Sequence, residues 1–201
     1  MQMVAGPVVI CISGMAGSGK STLARRLAEK YGLKYCSGGD SLKALALEKG
    51  YKNLEHGWWE SSEGMLFMER RGKDLAIDRS VDKKILEIAK QGNMVLDSWA
   101  IPWLLKDGFK VWLHASLKQR AERVAERDGI STREALNALK RKEEKTKAIY
   151  RDLYSFNLGE DFEPFQLILD TENLSKDEVF QILCMVMDNV VLRSVKTRQS
   201  S

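Results

Sequence analysis

The most informative part of the chain reads Gly14-Met15-Ala16-Gly17-Ser18-Gly19-Lys20-Ser21-Thr22. An apolar, β-branched run over 7–13 precedes it, and a helical pattern over 23–30 follows it. A strand, a glycine loop and a helix with the spacing G-x-x-x-x-G-K-S are typical of backbone N–H groups that turn inward around a polyphosphate. The alternative is an accidental glycine turn between a strand and a helix, and the Lys-Ser pair disfavours it. The stretch therefore predicts a phosphate-binding loop.

Two side chains of this loop have expected roles of their own. Lys20 is expected to reach the β and γ phosphates of a nucleotide as a point charge, which makes it a catalytic candidate. The hydroxyl of Ser21 is expected to help coordinate Mg²⁺, an ion that otherwise keeps mostly water and phosphate ligands. All nine residues of the loop are expected to contribute to nucleotide binding.

Length and composition fit an ordinary globular enzyme. The 201 residues are predicted to form a single domain, and 44% of them are apolar and 30% charged. No apolar run approaches the roughly 20 residues of a membrane span, and no secretion signal is recognised, so a cytoplasmic location is expected by default. The net charge of +4 suits anionic small molecules and gives little reason to expect nucleic acid as a partner.

The three cysteines are Cys11, Cys36 and Cys184. Their odd number, their apolar surroundings and the lack of C-x-x-C spacing predict buried thiols rather than disulfides.

Strands and helices are predicted to alternate along the chain. Strands are predicted at 7–13, 34–36, 93–97, 109–114 and 166–170. Helices are predicted at 23–30, 41–49, 77–90, 117–127, 132 to about 153 and 176 to about 192. Asp40 is expected to cap the helix at 41–49, and capping boxes at 131–134 and 175–178 are expected to open the last two helices. This alternation favours an α/β fold with a five-stranded parallel sheet covered by helices on both faces. Ligands then belong at the carboxyl ends of the strands.

Residues 51–76 lack clear periodicity and are interpreted as a helical arm. The arm combines apolar residues such as Leu54, Met65 and Phe67 with the basic run Arg70-Arg71-Gly72-Lys73. Its Trp58-Trp59 pair is suited either to stacking on a base or to anchoring the arm by packing, and both interpretations stay open. The two histidines, His56 and His114, have no metal-ligand spacing and are expected to be structural.

Asp97 is the second candidate site residue. A carboxylate that ends a buried strand beside a phosphate loop can hold Mg²⁺ directly or through water, and a capping role is the alternative. Ser98 follows it, where P-loop ATPases often carry a glutamate that polarises water. This favours transfer to a bound acceptor over hydrolysis. The N-K-x-D and D-x-x-G patterns of regulatory GTPases are absent, which disfavours a switch protein.

Cations are concentrated on the two predicted helices after residue 116. Arginines that swing in from a lid can stabilise a phosphoryl group in transfer and exclude water, whereas an ordinary solvated helix surface is the competing explanation. Arg120, Arg123 and Arg141 are the catalytic candidates among them.

Several segments carry a resemblance to a known family. They are the loop G-x-x-G-S-G-K-S-T, residues 34–40 and 77–82, the strand that ends at Asp97, residues 111–113 leading to 120–123, and residues 169–171 before a Leu-Ser-x-x-Glu-Val helix. Over most of the chain they resemble the nucleoside monophosphate kinases, and within them the short archaeal-type cytidylate kinases. The loop alone is shared by many kinases, and the combination is more specific.

The resemblance implies that ATP–Mg²⁺ donates its γ-phosphoryl group to a nucleoside monophosphate, most simply CMP or dCMP. It implies an arm over about 40–76 that closes on the acceptor and a lid over about 128–155 that closes on the donor. The tail over 193–201 is expected to be frayed because it is a chain end. By resemblance, Ser21 and Asp97 serve Mg²⁺, Arg120 and Arg141 match lid arginines, and Thr171 and Leu174 border the adenine. The expected acceptor-binding residues are Ser37, Asp40, Lys43, Trp58, Arg70, Asp78 and Ser98. Small nucleotides are the expected partners of a monomer or homodimer.

The chain departs from the family pattern at three places. Lys43 stands where an acceptor-binding arginine is expected, Ser98-Trp99 stands where Gly-Arg is expected, and Ala148 stands where a second lid arginine is expected. The arm is also about ten residues longer than usual, a length typical of a functional insertion. We therefore expect the arm to bring its own stacking surface and positive charge, from Trp58 and Arg70, to the acceptor. A P-loop kinase for a different small acceptor and a nucleotide-binding regulatory or RNA-associated protein without turnover are the alternatives.

Overall fold

A computed structural model of the chain describes residues 8–52 and 57–191, apart from the side chains of residues 60 and 190. Leu54, His56 and the predicted tail over 193–201 lie outside the described residues. The strands are β1 (Val9–Gly14), β2 (Lys34–Ser37), β3 (Met94–Asp97), β4 (Phe109–His114) and β5 (Leu167–Asp170). The helices are α1 (Lys20–Tyr31), α2 (Gly38–Glu48), α3 (Ser62–Lys73), α4 (Ala76–Ala89), α5 (Ile101–Leu104), α6 (Leu117–Asp128), α7 (Thr132–Tyr154) and α8 (Lys176–Val186).

The five strands form one parallel sheet in the order β2-β3-β1-β4-β5. This confirms the predicted α/β fold. The register places Asp97 beside both Ser37 of β2 and Ile12 of β1, so three strands end side by side. The loops that follow them, including the glycine loop, therefore meet at one edge of the sheet.

Helices cover both faces of the sheet because its central strands are apolar on both sides. On one face, α1 and α8 pack residues such as Leu27 and Leu183 against β1 and β4. On the other face, α2, α4 and α5 contribute residues such as Ile85 to a second core that includes Leu96 of β3. The sheet and these helices hold the edge loops in fixed positions.

The start of α2 corrects one prediction. Asp40 was expected to cap a helix beginning at residue 41, but α2 begins at Gly38 and Ser37 caps it by accepting a hydrogen bond from the Asp40 amide. The carboxylate of Asp40 instead pairs with Arg25 at 2.8 Å. A serine at the end of β2 can cap the helix directly, so no separate turn is needed.

The arm is helical, as predicted. A 3₁₀ turn over Trp58–Glu60 leads into α3, which Ser61 caps through the Gly64 amide. The two predicted capping boxes are present at the starts of α7 and α8. The last predicted helix differs at its end, where α8 passes into a π-helical turn at Met187–Val191.

Two further predictions concern composition. Cys11 and Cys184 are buried free thiols, whereas Cys36 is only half-buried. Among the described residues, no helix has both the length and the apolar character needed to cross a membrane.

Candidate active site

Two glycines of the loop occupy positions that other residues cannot. A Cβ on Gly14 would lie 2.4 Å from the carbonyl oxygen of Leu113, and one on Gly17 would lie 2.7 Å from that of Arg120. Gly17 also has a positive φ of 81°. The loop backbone therefore lies directly against β4 and α6 and turns toward the start of α1. Its amides and the positive end of α1 form a cradle that suits a polyphosphate.

Lys20 carries a weakly compensated charge inside this cradle. Its Nζ donates a long hydrogen bond of 3.3 Å to the carbonyl oxygen of Met15 and lies 5.5 Å from the centre of the Trp99 ring. Burial lowers the pKa of Lys20 to about 8, although the nearby Asp97 carboxylate opposes this effect. A nearby anion is therefore expected to stabilise the charged form of Lys20.

Asp97 is buried at the end of β3, where its Oδ2 accepts a 3.1 Å hydrogen bond from the hydroxyl of Tyr35. Burial and the charge of Asp97 raise the pKa of Tyr35, which keeps this phenol a donor. The guanidinium of Arg25 lies 4.3 Å from the centre of the Tyr35 ring. Tyr35 thus fixes one oxygen of Asp97 and leaves the other for a ligand.

The residues around the loop fit a nucleotide-bound Mg²⁺. The Ser21 hydroxyl and the Asp97 carboxylate both line the same cleft, and oxygen atoms are the ligands that Mg²⁺ prefers. In the described part of the chain no three acidic, histidine or cysteine side chains cluster as a closed metal site. A Mg²⁺ that keeps water and phosphate ligands needs only one or two protein oxygens, so this donor set is sufficient.

The cleft has a volume of about 290 Å³ and extends from the glycine loop to the arm. Its donor side consists of loop residues 16, 17 and 19–22 together with Asp97. Its opposite side consists of α2, α4 and the arm, and α6 and α7 border it as well. A phosphate donor and a small acceptor can therefore meet within one cleft.

A buried ion pair forms part of the opposite side. Arg71 of α3 donates from Nε to Asp78 Oδ2 at 2.9 Å and from a terminal nitrogen to Oδ1 at 2.5 Å. Burial works against the charge of Arg71, but Asp78 outweighs burial and raises its pKa. The pair ties the arm to α4 and holds the guanidinium at the cleft wall.

Asp82 lies one turn beyond Asp78 and also lines the cleft. Its Oδ2 accepts a 2.9 Å hydrogen bond from the hydroxyl of Tyr154. Burial raises the pKa of Asp82 to about 7, and the charge of Asp78 adds to this effect against the opposing hydrogen bond from Tyr154. Asp82 can therefore be neutral or charged near neutral pH.

Many of the residues expected from the sequence do line this cleft. On the acceptor side they are Ser37, Asp40, Lys43, Asp78 and Ser98. Gly14, Met15 and Ser18 support the loop from outside the cleft lining. Loop residues and acceptor-side residues are thus brought together at the predicted edge of the sheet.

Two arm residues that were expected at the acceptor side lie elsewhere, and the residues next to them in sequence line the cleft. Trp58 is only 2% exposed and packs in the core against Phe67, and Arg70 is exposed outside the cleft. Trp59 and Arg71 line the cleft instead. On a helix, position 71 shares the inward face of Phe67, four residues earlier, whereas position 70 is turned by about 100°. Recognising α3 as a regular helix with Phe67 inside is the signal that selects Arg71.

Arg120 supports the loop rather than facing the cleft. It is buried, donates from Nε to the carbonyl oxygen of Ala115 at 3.1 Å and from a terminal nitrogen to that of Ala16 at 2.9 Å, and pairs with Glu143 of α7. Arg120 therefore connects the glycine loop, α6 and α7.

Arg123 and the two residues expected near the adenine form a second support. Arg123 donates to the carbonyl oxygen of Thr171 at 2.5 Å and to its hydroxyl at 3.1 Å. The Thr171 hydroxyl donates in turn to the carbonyl oxygen of His114 at 2.8 Å, and Leu174 packs against the core. These residues fix the segment after β5, outside the cleft lining.

Arg141, the expected lid arginine, is exposed and lines a separate groove with Gly57, Ser61 and Asp128. The adjacent Lys142 lines the cleft, as does Arg127 of α6. One residue along a helix changes the direction of a side chain by about 100°, so the charged pattern of α7 alone did not identify which cation faces inward.

The cleft combines a phosphate cradle, a carboxylate placed for Mg²⁺ and an opposite wall built from α2, α4 and the arm. A protein-family model described as cytidylate kinase-like matches residues 9–173. The chain belongs to the cytidylate kinase-like family. The cytidylate kinase of Pyrococcus horikoshii is 36% identical over 184 residues, which cover 91% of this chain and 90% of that protein. The cytidylate kinase of Pyrococcus furiosus is 36% identical over 189 residues, 94% of this chain and 92% of that protein.

A solved structure of shikimate kinase from Bacteroides thetaiotaomicron is similar in fold. It superposes with a TM-score of 0.53 at 18% identity and covers 91% of this chain and 99% of that chain. This likeness supports the fold alone.

The departures of this family member concentrate on the cleft. Lys43, Ser98 and Trp99 all line it, while Ala148 is exposed on α7. The indole nitrogen of Trp99 donates a 2.6 Å hydrogen bond to the carbonyl oxygen of Gly14. Where an arginine was expected, this chain thus places a ring that braces the start of the glycine loop.

Proposed function

We propose that this protein is a nucleoside monophosphate kinase that transfers the γ-phosphoryl group of ATP to CMP or dCMP. The observation that carries the proposal is the single cleft in which Lys20 and Asp97 face an acceptor side built from α2, α4 and the arm. Membership of a kinase family supports ATP as the donor. The names of the archaeal relatives support a cytidine nucleotide as the acceptor.

The donor side positions the phosphates and neutralises their charge. The loop amides and the start of α1 hold the polyphosphate, and the ammonium group of Lys20 stabilises the negative charge that develops on the transferred group. Ser21 and Asp97 hold Mg²⁺, which when bound supplies further neutralisation of that charge. Tyr35 keeps Asp97 oriented for this task through its hydrogen bond.

The lining of the cleft favours transfer over hydrolysis. Trp99 and Trp59 border it, and Ser98 follows Asp97 in place of a residue that activates water. The side chains of the arm and of α7 exclude water from the space between donor and acceptor.

The proposal includes the organisation of the chain. The core carries an acceptor-binding arm over about 40–76 and a lid over about 128–155 within one domain of residues 1–201. Contacts between the arm and the lid, such as the 2.9 Å pair of Glu69 with Lys145, couple these two segments. The protein is proposed to act in the cytoplasm, where nucleotides are supplied, as a monomer or homodimer.

A kinase for another small acceptor is the second candidate. The acid pair Asp78 and Asp82 on the acceptor side and the departures at Lys43 and Ser98-Trp99 are the observations that favour it. Loss of turnover in a nucleotide-binding regulatory protein is the third.

A coupled assay of ADP formation distinguishes the three. The wild-type protein is incubated with ATP–Mg²⁺ and CMP, dCMP, UMP, AMP, GMP, dTMP or non-nucleotide alcohols, with Lys20→Ala as the control. Stimulation by CMP or dCMP supports the proposal, and stimulation by another acceptor only supports the second candidate. If ATP binds and no acceptor raises ADP above the level of the Lys20→Ala control, the regulatory alternative is correct and the proposal fails.

A further inference from the structure

Trp59 of the arm lies close to two cations at the cleft. The Cζ atom of Arg71 is 5.9 Å from the centre of its ring, and the Nζ atom of Lys142 is 5.0 Å from it. All three residues line the cleft, and the Trp59 ring is supported from behind by Trp58, with ring centres 4.9 Å apart. The ring therefore fixes where two positive charges from different elements, α3 and α7, meet.

These two cations continue a row that begins at the glycine loop. The charge of Lys142 contributes to the lowered pKa of Lys20, which means that the two ammonium groups are close enough to repel each other. Lys20, Lys142 and Arg71 thus extend from the donor side to the acceptor side of one cleft. Donor and acceptor phosphates bound in this cleft would lie close to this row of positive charge, which favours their binding.

Arg71 has donor capacity beyond its ion pair. A guanidinium has five N–H groups. Hydrogen bonds to Asp78 use two of them, and a contact to the Met68 sulfur at 2.8 Å uses a third. Within the described residues, one N–H on each terminal nitrogen is left for a ligand. Asp78 holds the fork rigidly, so little entropy is lost when Arg71 binds a phosphate.

We propose that Arg71 and Lys142, positioned by Trp59, bind the phosphate of the acceptor, and that they replace the family arginines which this chain lacks at positions 43, 99 and 148. The assignment rests on the proposed function, because it takes the acceptor to be a nucleoside monophosphate. It assigns the arm the role of delivering a guanidinium to the acceptor. It also makes Lys142, rather than Arg141, the cation that α7 contributes.

The test compares CMP with cytidine, which differs by the phosphate alone. Both are titrated calorimetrically into the wild-type protein without ATP and then into Arg71→Met and Lys142→Met. The ratio of the cytidine Kd to the CMP Kd is expected to fall by about tenfold or more in each variant, since each removes a charged hydrogen-bond donor. The cytidine Kd itself is expected to change by less than about threefold, a pattern that a purely structural role does not produce.

Matched controls come from the neighbouring positions. Arg70→Met and Lys140→Met remove the same charges from exposed sites on α3 and α7, and they are expected to leave the ratio unchanged. Arg71→Met leaves Asp78 buried without its partner, so the double variant Arg71→Met/Asp78→Asn is measured as well. Lys142→Met leaves the buried pair intact, so it tests the proposed phosphate site even if both Arg71 variants fail to fold.

The inference is overturned if wild-type protein binds CMP no better than cytidine, if Lys142→Met and the Arg71 variants keep the wild-type ratio, or if the controls lower it equally. These outcomes are distinct from the failure of the proposed function. A protein that forms no ADP with CMP, yet prefers CMP to cytidine through Arg71 and Lys142, has the phosphate site without the activity. A protein that phosphorylates CMP while the variants keep the ratio has the activity without this site.

Discussion

The buried pair of Arg120 and Glu143 provides a sharp test of the role assigned to Arg120. Arg120 is 5% exposed and Glu143 is 9% exposed, and the arginine also holds the carbonyl oxygen of Ala16. Glu143→Gln removes the compensating charge and leaves the arginine buried. If Arg120 is a support of the loop, this change destabilises the whole fold.

The magnitude follows from the burial of the pair. Removing one partner of a buried ion pair costs about 3–5 kcal/mol, and the lower value applies because glutamine still accepts one hydrogen bond. For a chain of this length each kcal/mol lowers Tm by about 2–4 °C, so we expect a decrease of about 10 °C. Differential scanning calorimetry measures this decrease, and Glu144→Gln on the exposed side of α7 is the control.

A decrease of less than about 2 °C in Glu143→Gln, equal to that of the control, would show that the pair with Glu143 does not hold Arg120 in place. Arg120 would then be held only loosely by Glu143 and would be available to the transferred phosphoryl group, as the sequence suggested.

Three further predictions concern single groups of the cleft. ATP affinity is expected to be constant below about pH 7.5 and to decline above pH 8, because Lys20 has a pKa of about 8 before bound phosphates raise it. Titrations of ATP into the protein from pH 6.5 to 9.5 check this expectation. Lys20→Ala should show no decline of ATP affinity in that range. Asp82 has a folded-state pKa of about 7, raised from 3.8, so its contribution to stability is complete below pH 3.8 and is lost as the pH rises through 7. Asp82→Asn should flatten that decline, by at most about 3 kcal/mol between pH 5 and pH 8, in denaturant unfolding at these two pH values; an identical slope in both proteins contradicts the assigned pKa. Asp97→Asn should raise the Mg²⁺ concentration needed for half-maximal rate while ATP binding without Mg²⁺ persists, and an unchanged Mg²⁺ titration would leave Asp97 with a capping role only.

The fold was predictable because its signals are local. The strand, glycine loop and helix around Lys20 and the regular alternation of later elements determine a parallel sheet, and the carboxyl ends of its strands determine where Ser37 and Asp97 meet. Capping boxes at Ser131 and Ser175 give helix starts that the structure reproduces.

The orientation of individual side chains was less predictable, because it depends on partners distant in sequence. The sequence shows that Arg120 and Arg123 are charged, but their partners Glu143 and Thr171 lie 23 and 48 residues away. In the arm, broken periodicity concealed the start of α3, and a difference of one residue selects Arg71 over Arg70.

The proposed activity is the transfer of the γ-phosphoryl group of ATP to a cytidine monophosphate within one cleft. This transfer is tested by incubating the wild-type protein with ATP–Mg²⁺ and CMP, separating CDP from ADP by anion-exchange chromatography and measuring free phosphate in the same sample. We expect CDP and ADP to appear in equal amounts with little free phosphate, and no CDP with Lys20→Ala. ADP accompanied by free phosphate instead of CDP, or CDP formation that persists in Lys20→Ala, would contradict the proposed activity.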